Sequence, residues 1–145
     1  MLMLVFYVGN DRYGIDTSQV VEVIPMVILR KLPHAPDYIA GVFNYRGKIV
    51  PAIDLCHLIQ GLPSRSYLST RIVMVNYFDT GNTPQLVGLM AERVTETINK
   101  PDNEGGENGF EVKEAPYLGE MIMDEQGMIQ QVRLEYLLSE RKHLV

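Results

Sequence analysis

Apolar residues come in short runs along this chain, and turn-forming residues break each run. Met1 to Val8 (MLMLVFYV), Arg71 to Phe78 (RIVMVNYF) and Leu86 to Ala91 (LVGLMA) are β-type runs. They are rich in residues that fit a pleated, buried surface. Gly9-Asn10-Asp11 and Asp79 to Pro84 supply turn chemistry, so the chain is expected to open on a hairpin returning through Tyr13 to Asp16 and to form another across 79–84. Tyr117 to Asp124, Glu125-Gln126-Gly127 and Met128 to Val132 read as strand, turn and strand, and Leu134 to Leu138 begins a closing helix. Val94 to Ile98 is a strand or a bent continuation of the one before it.

The most ordered pattern is Ile39 to Leu55 (IAGVFNYRGKIVPAIDL), a strand, a tight turn at Arg46-Gly47 and a returning strand closing on Asp54. Gly47 makes a positive φ cheap at the turn. Pro51 has no N–H, which puts the returning strand at an edge or a bulge there. Asp54 can cap a short helix, LCHLIQ, stopped by Gly61 and Pro63. Three further short elements are expected. Thr17 or Ser18 caps a helix carrying Val20, Val21, Val23 and Ile24, Met26 to Leu32 is strand-like, and PDYIAG is a helix of one or two turns ended by Gly41.

The pattern sums to about nine or ten short strands with three or four short helices, the signature of antiparallel barrels or sandwiches. Helices long enough to cross over between parallel strands are missing. AGVFNYRGKIV and LVGLMAERV suggest two related halves. Asn99 to Gly109 is the most polar, Gly-rich stretch and is expected to be a mobile surface loop.

Composition narrows the picture. The chain has 145 residues, 46% hydrophobic and 21% charged, which suits one ordinary globular domain or two small modules sharing a core. A net charge of −5 without a Lys/Arg cluster argues against a nucleic-acid surface. Met1 to Val8 is too short to span a bilayer and lacks the basic flank of a signal peptide. The single cysteine, Cys56, excludes an internal disulfide and fits a reducing cytoplasm.

Candidate chemistry is sparse. GxSxG, P-loop, GxGxxG, CxxC and HExxH patterns are absent, and His34, His57 and His143 have no metal-ligand spacing. No catalytic residue, cofactor or metal is therefore expected. Cys56 and His57 are neighbours, but adjacency on a helix points them about 100° apart. Arg46 sits at a hairpin tip without an acidic neighbour in sequence, so it is either a solvated turn residue or a partner contact. Glu22 is equally open between a solvated charge and a contact.

The motif G-x-x-N-x-R-G-x-I-x-P-x-x-D-L, filled here by Gly41, Asn44, Arg46, Gly47, Ile49, Pro51, Asp54 and Leu55, resembles the CheW-like domain of bacterial chemosensory systems. Tyr13-Gly-Ile-Asp and Val20-Val-Glu22-Val-Ile extend the resemblance. Leu86 to Val94 is similar to the family strand V-G-x-x-V-D-x-V, with Glu92 in place of the Asp. The resemblance implies a mainly β fold of two five-stranded SH3-like barrels sharing a hydrophobic core, a single domain over 1–145. It implies a non-enzymatic, stand-alone adaptor in the cytoplasm, recruited to membrane-bound receptor arrays. Its partners would be a chemoreceptor tip and a CheA-like histidine kinase regulatory domain, with no nucleic acid and no membrane insertion. A module serving twitching motility, surface sensing or second-messenger control is the alternative. Gly41, Asn44, Arg46, Val87 and Val94 would lie on the receptor side, the two valines lining a groove between the barrels. Val20, Glu22 and Val23 would face the kinase or another partner.

Overall fold

A computed structural model of the chain describes residues 1–65, 67–78, 83–100 and 115–139. The strands are β1 (Leu2–Val8), β2 (Asp11–Asp16), β3 (Val20–Pro25), β4 (Ile39–Tyr45), β5 (Lys48–Asp54), β6 (Arg71–Phe78), β7 (Pro84–Ala91), β8 (Arg93–Asn99), β9 (Leu118–Asp124) and β10 (Gly127–Val132). The α-helices are α1 (Leu55–Gln60) and α2 (Leu134–Ser139). One five-stranded sheet runs β8-β1-β2-β10-β9 and the other β3-β6-β7-β5-β4. The mainly β expectation is therefore met.

Both sheets close on themselves through side chains of their edge strands. Across five strands a flat sheet would hold its edges about 19 Å apart, four spacings of about 4.8 Å. Yet Glu22 on edge strand β3 accepts hydrogen bonds from Tyr45 and Arg46 at the end of edge strand β4. In the other sheet Lys100, just after edge strand β8, meets Glu120 on edge strand β9 at 2.8 Å. Arg12 on β2 reaches Glu96 on β8 at 3.9 Å and grips Asp124 on β9 with both guanidinium nitrogens. Each sheet is thus a small barrel with an ionic closure.

Why the longest apolar runs are unbroken now follows. β1 is buried on both faces: Met3 and Val5 pack inside its own barrel, while Leu4, Phe6 and Val8 join a core shared by both barrels. β6 repeats the arrangement, with Ile72 and Met74 inside its barrel and Val73 and Val75 in the shared core. A strand with two buried faces reads as a continuous hydrophobic run rather than an alternating one. The shared core also takes Leu55 and Cys56 of α1 and Leu134, Leu137 and Leu138 of α2. Each fully buried large side chain there contributes about 1.5–3 kcal/mol.

The two barrels are not two halves of the sequence. β4, β5 and β7 all belong to one sheet, so the two Gly-containing segments that suggested halves lie side by side in a single barrel. The first barrel is built from both ends of the chain, with β2 parallel to β10, and the second from the continuous stretch β3 to β7, with β5 parallel to β7.

Several local expectations change. Val20 to Ile24 is strand, not helix. Asp16 Oδ1 accepts Ser18 N at 2.9 Å and caps only the 3-10 turn Thr17–Gln19, and the β-branched residues then extend. Residues 26–32 form no strand; Arg30 makes an isolated bridge to Val42, and Leu29 and Leu32 pack against the cores. PDYIAG is not a helix: a turn at Pro36 to Tyr38 is closed by Ile39 N to Pro36 O at 2.9 Å, Ile39 to Gly41 already belong to β4, and Tyr38 O is taken by Asp54 N at 2.7 Å. α1 forms as expected, with Asp54 Oδ1 accepting from Cys56 N and His57 N and Gly61 left-handed at its end. Pro51 fits because Val42, its partner across the ladder, turns both its N–H and its carbonyl toward Arg30, and the ladder to β7 starts one residue later at Ala52. The expected turn over 79–84 falls largely, and the loop over 99–109 almost wholly, outside the described residues.

Candidate functional site: the β4–β5 tip and its surroundings

The β4–β5 hairpin ends in the pair Tyr45 and Lys48, with Arg46 at φ 50° and Gly47 at φ 87° between them. Two consecutive positive φ values make a type I′ turn, whose twist matches paired strands. Arg46 holds a left-handed conformation that costs a non-glycine residue about 1–2 kcal/mol. Asn44 offsets part of this by accepting Gly47 N at 2.8 Å through Oδ1.

The turn aims Arg46 back across the barrel seam. Its Nη2 donates to Glu22 Oε1 at 3.0 Å, and the guanidinium carbon lies 5.2 Å from the Tyr45 ring centroid. Tyr45 OH donates to the same Glu22 oxygen, and that bond is the main cause raising the Tyr45 phenol above its ordinary range. The Arg46 side chain is still 71% exposed, whereas that of Glu22 is 34% exposed. The tip therefore offers a positioned guanidinium with unused donors beside a half-covered carboxylate. Glu22 and Arg46, expected on different surfaces, form one feature.

Around this pair the surface is apolar. Val21 and Val23 point outward from β3, Met26, Val27 and Ile28 follow them, and Ile49, opposite Asn44 on β5, is 70% exposed. Val20 packs against the shared core from its rim. Gly41 is buried and needed on two counts: its φ is 155°, and a Cβ there would sit 2.6 Å from Arg30 O. Val87 is 1% exposed, within the shared core. Val94 is half-buried against the same core.

A second polar constellation lies where the chain crosses from β7 to β8. Glu92 is buried and accepts Gly9 N at 3.0 Å and Arg65 N at 2.8 Å, one amide from each barrel's loops. Its own N–H goes to Tyr7 O and its carbonyl accepts Ser69 Oγ. Asp54, also buried, accepts from Ser64 N and Ser64 Oγ besides capping α1. From the sequence, Glu92 stands as a variant of a motif position and as an acid without a specified catalytic partner. The signal available was its place between two apolar strands, where a carboxylate must find backbone donors. Burial pushes the Cys56 thiol above its ordinary value, with a Ser64 hydrogen bond opposing. A raised pKa keeps the thiol protonated and unreactive. Among the described residues no group of three metal-ligating side chains forms, and no helix is long and apolar enough to cross a membrane.

Two small closed barrels joined by a common core, with surface features that are apolar edges and an anchored arginine, define a docking scaffold. Residues 2–142 match the CheW-like domain, and the chain belongs to that family. Members of the family are non-enzymatic scaffolds of chemotaxis systems. The chain is 32% identical over 94 residues to a chemotaxis protein CheW of Helicobacter pylori, a match covering 64% of this chain and 53% of that one. It is 35% identical over 98 residues to a chemotaxis protein CheW of Klebsiella aerogenes, covering 66% and 55%. These matches span about half the length of the curated relatives. The scaffolding protein TtCheW of Thermoanaerobacter tengcongensis superposes with a TM-score of 0.78 at 28% identity, covering 95% of this chain and 87% of that one.

Proposed function

We propose that this chain couples the cytoplasmic tip of a chemoreceptor to the regulatory domain of a histidine kinase. The observation that carries the reading is the β4–β5 tip, where Arg46 is held in place by Glu22 and Tyr45 yet keeps most of its side chain in solvent. A fixed guanidinium of this kind recognises carboxylates with charge-assisted hydrogen bonds. In this reading Gly41, Asn44, Arg46 and Val94 form the receptor side, and Val87 shapes it from within the core. Val20, Glu22 and Val23, with the exposed Ile49 nearby, form the adjoining kinase side, and the Glu22–Arg46 pair marks where the two sides meet. Apolar edges of this size suit contacts that are individually modest and gain from repetition in an array. The chain would work in the cytoplasm, beneath membrane-bound receptors.

The test is a pull-down from native lysate with the tagged chain, scored by mass spectrometry for a methyl-accepting receptor and a CheA-like kinase. Recovery of both supports the reading. Recovery of neither sinks it, and recovery of a motility or second-messenger system in their place transfers the scaffold to that pathway.

A further inference from the structure

Between α1 and β6, residues 61–65 and 67–70 lie at the junction of the barrels and are anchored by hydrogen bonds. Consecutive amides end on the two buried carboxylates: Ser64 N on Asp54 Oδ2 and Arg65 N on Glu92 Oε2, both at 2.8 Å. Tyr67 N donates to Thr70 Oγ1 at 3.2 Å, and Thr70 N to Tyr67 O at 3.2 Å. Ser64, Arg65, Tyr67 and Thr70 are thus held before any partner arrives, and the entropy of ordering them is not charged to binding.

Despite this anchoring, the stretch turns apolar side chains to solvent. Leu68 is 100% exposed, Leu62 69% and Tyr67 46%. Leu62 and Tyr67 line a cleft of about 660 Å³ together with Tyr7, Arg65 and Arg93 among others, and Leu68 follows Tyr67 in the chain. The rim is cationic. Arg65 and Arg93 are exposed, with Arg93 stacked 4.2 Å over the Tyr7 ring, and Arg71 holds Leu68 O at 2.7 Å. Against these three cations stand Asp11, which is exposed, and Glu92, whose carboxylate is buried and occupied by backbone amides. On a chain of net charge −5 this is a local reversal of sign.

We propose that this strap is a second docking surface, and that its occupant is the apolar face of an amphipathic helix flanked by Asp or Glu. The amides of Ser64, Arg65, Tyr67 and Thr70 are already spent, so an added β-strand would find no ladder there. Recognition must run through side chains, as in helix docking. Leu68 and Leu62 meet the apolar face, and Arg65 and Arg93 meet the flanking carboxylates. The surface shares no residue with the Arg46–Glu22 tip, so it stands independently of the receptor and kinase assignments.

The experiment is an NMR titration of the isotope-labelled full chain with a synthetic helical peptide carrying a Leu face and Glu flanks, and with its Lys-for-Glu analogue. The expected result is saturable amide shifts concentrated at Leu62, Arg65, Leu68 and Arg93. Leu68→Ser and Arg65→Glu each weaken binding roughly tenfold, in line with a central anchor and a charged rim contact. Arg46→Glu leaves it unchanged, and the Lys peptide binds more weakly than the Glu peptide. Leu68 is fully exposed, so its replacement preserves the fold, which unchanged spectra away from the strap verify. Absence of saturable shifts, shifts confined to the surface from Val21 to Ile28, equal affinity of the two peptides, or a Leu68→Ser chain that binds like wild type would each overturn the proposal.

Discussion

Glu22 and Arg46, 24 residues apart in sequence, meet at 3.0 Å across the seam that closes the second barrel. The contact joins the first and last strands of a five-stranded sheet. As a half-exposed ion pair it contributes modestly to stability, about 0.5 kcal/mol. Its larger effect is geometric, because it fixes the direction of a guanidinium that solvent still reaches.

The conformation of Arg46 separates that geometric role from stability. At φ 50° it carries left-handed strain that glycine lacks. Arg46→Gly is expected to be more stable than Arg46→Ala by about 1 kcal/mol, read from urea midpoints, while both lose the tip's charge. Equal midpoints would show that the turn relaxes on substitution.

Two glycines of the same hairpin should behave differently. Gly41→Ala places a Cβ 2.6 Å from Arg30 O and is expected to cost about 2–3 kcal/mol or more. Gly47, at φ 87°, has open space around it, so Gly47→Ala meets only conformational strain of about 1–2 kcal/mol. Gly41 carries the backbone clash on top of its own positive φ of 155°, so chemical denaturation of the two variants is expected to show the larger loss for Gly41→Ala.

That contrast shows what was legible in the sequence. The β4–β5 hairpin, Asp54 as a helix cap and the β9–β10 hairpin followed from turn residues and apolar runs, because local chemistry decides them. Val20 to Ile24 misled because its apolar spacing fits a helix; the outcome was set by pairing with β6 and by Glu22 reaching Tyr45 and Arg46, contacts formed far along the chain. The division into halves failed for the same reason, since β1 and β2 find β8 and β10 near the other end. Burial of Val87 and the anchoring of Glu92 depend on the second barrel, which no local pattern reports.

Acid stability should carry the mark of the other barrel's closure. Arg12 holds the Asp124 carboxyl down to about 2, against an ordinary 3.8. A lowered carboxylate pKa favours folding above the unfolded value, and the advantage is lost as pH falls through the folded one. The stability difference between wild type and Asp124→Asn is therefore greatest above about pH 4–5 and shrinks toward about pH 2. Denaturation curves across that window provide the check, and a difference independent of pH would contradict the pairing.

Cys56 should behave as a packing residue. Its thiol is buried and held protonated, so thiol reagents are expected to label it only at the rate of opening, and quickly in urea. Cys56→Ala should retain partner binding. Rapid labelling of the folded chain would mean the α1 region opens readily.

The central claim is that Arg46 both closes the barrel and meets a partner. The direct measurement compares Arg46→Glu with the charge-swapped double variant Glu22→Arg/Arg46→Glu in titrations against a chemoreceptor cytoplasmic tip, with thermal unfolding run in parallel. The swap restores an ion pair across the seam but reverses the charge offered to the partner. The double variant is expected to regain the stability of wild type while its receptor affinity stays at least roughly tenfold weaker, as for loss of an interface arginine. Recovery of full affinity in the double variant, or wild-type affinity in Arg46→Glu, would contradict it.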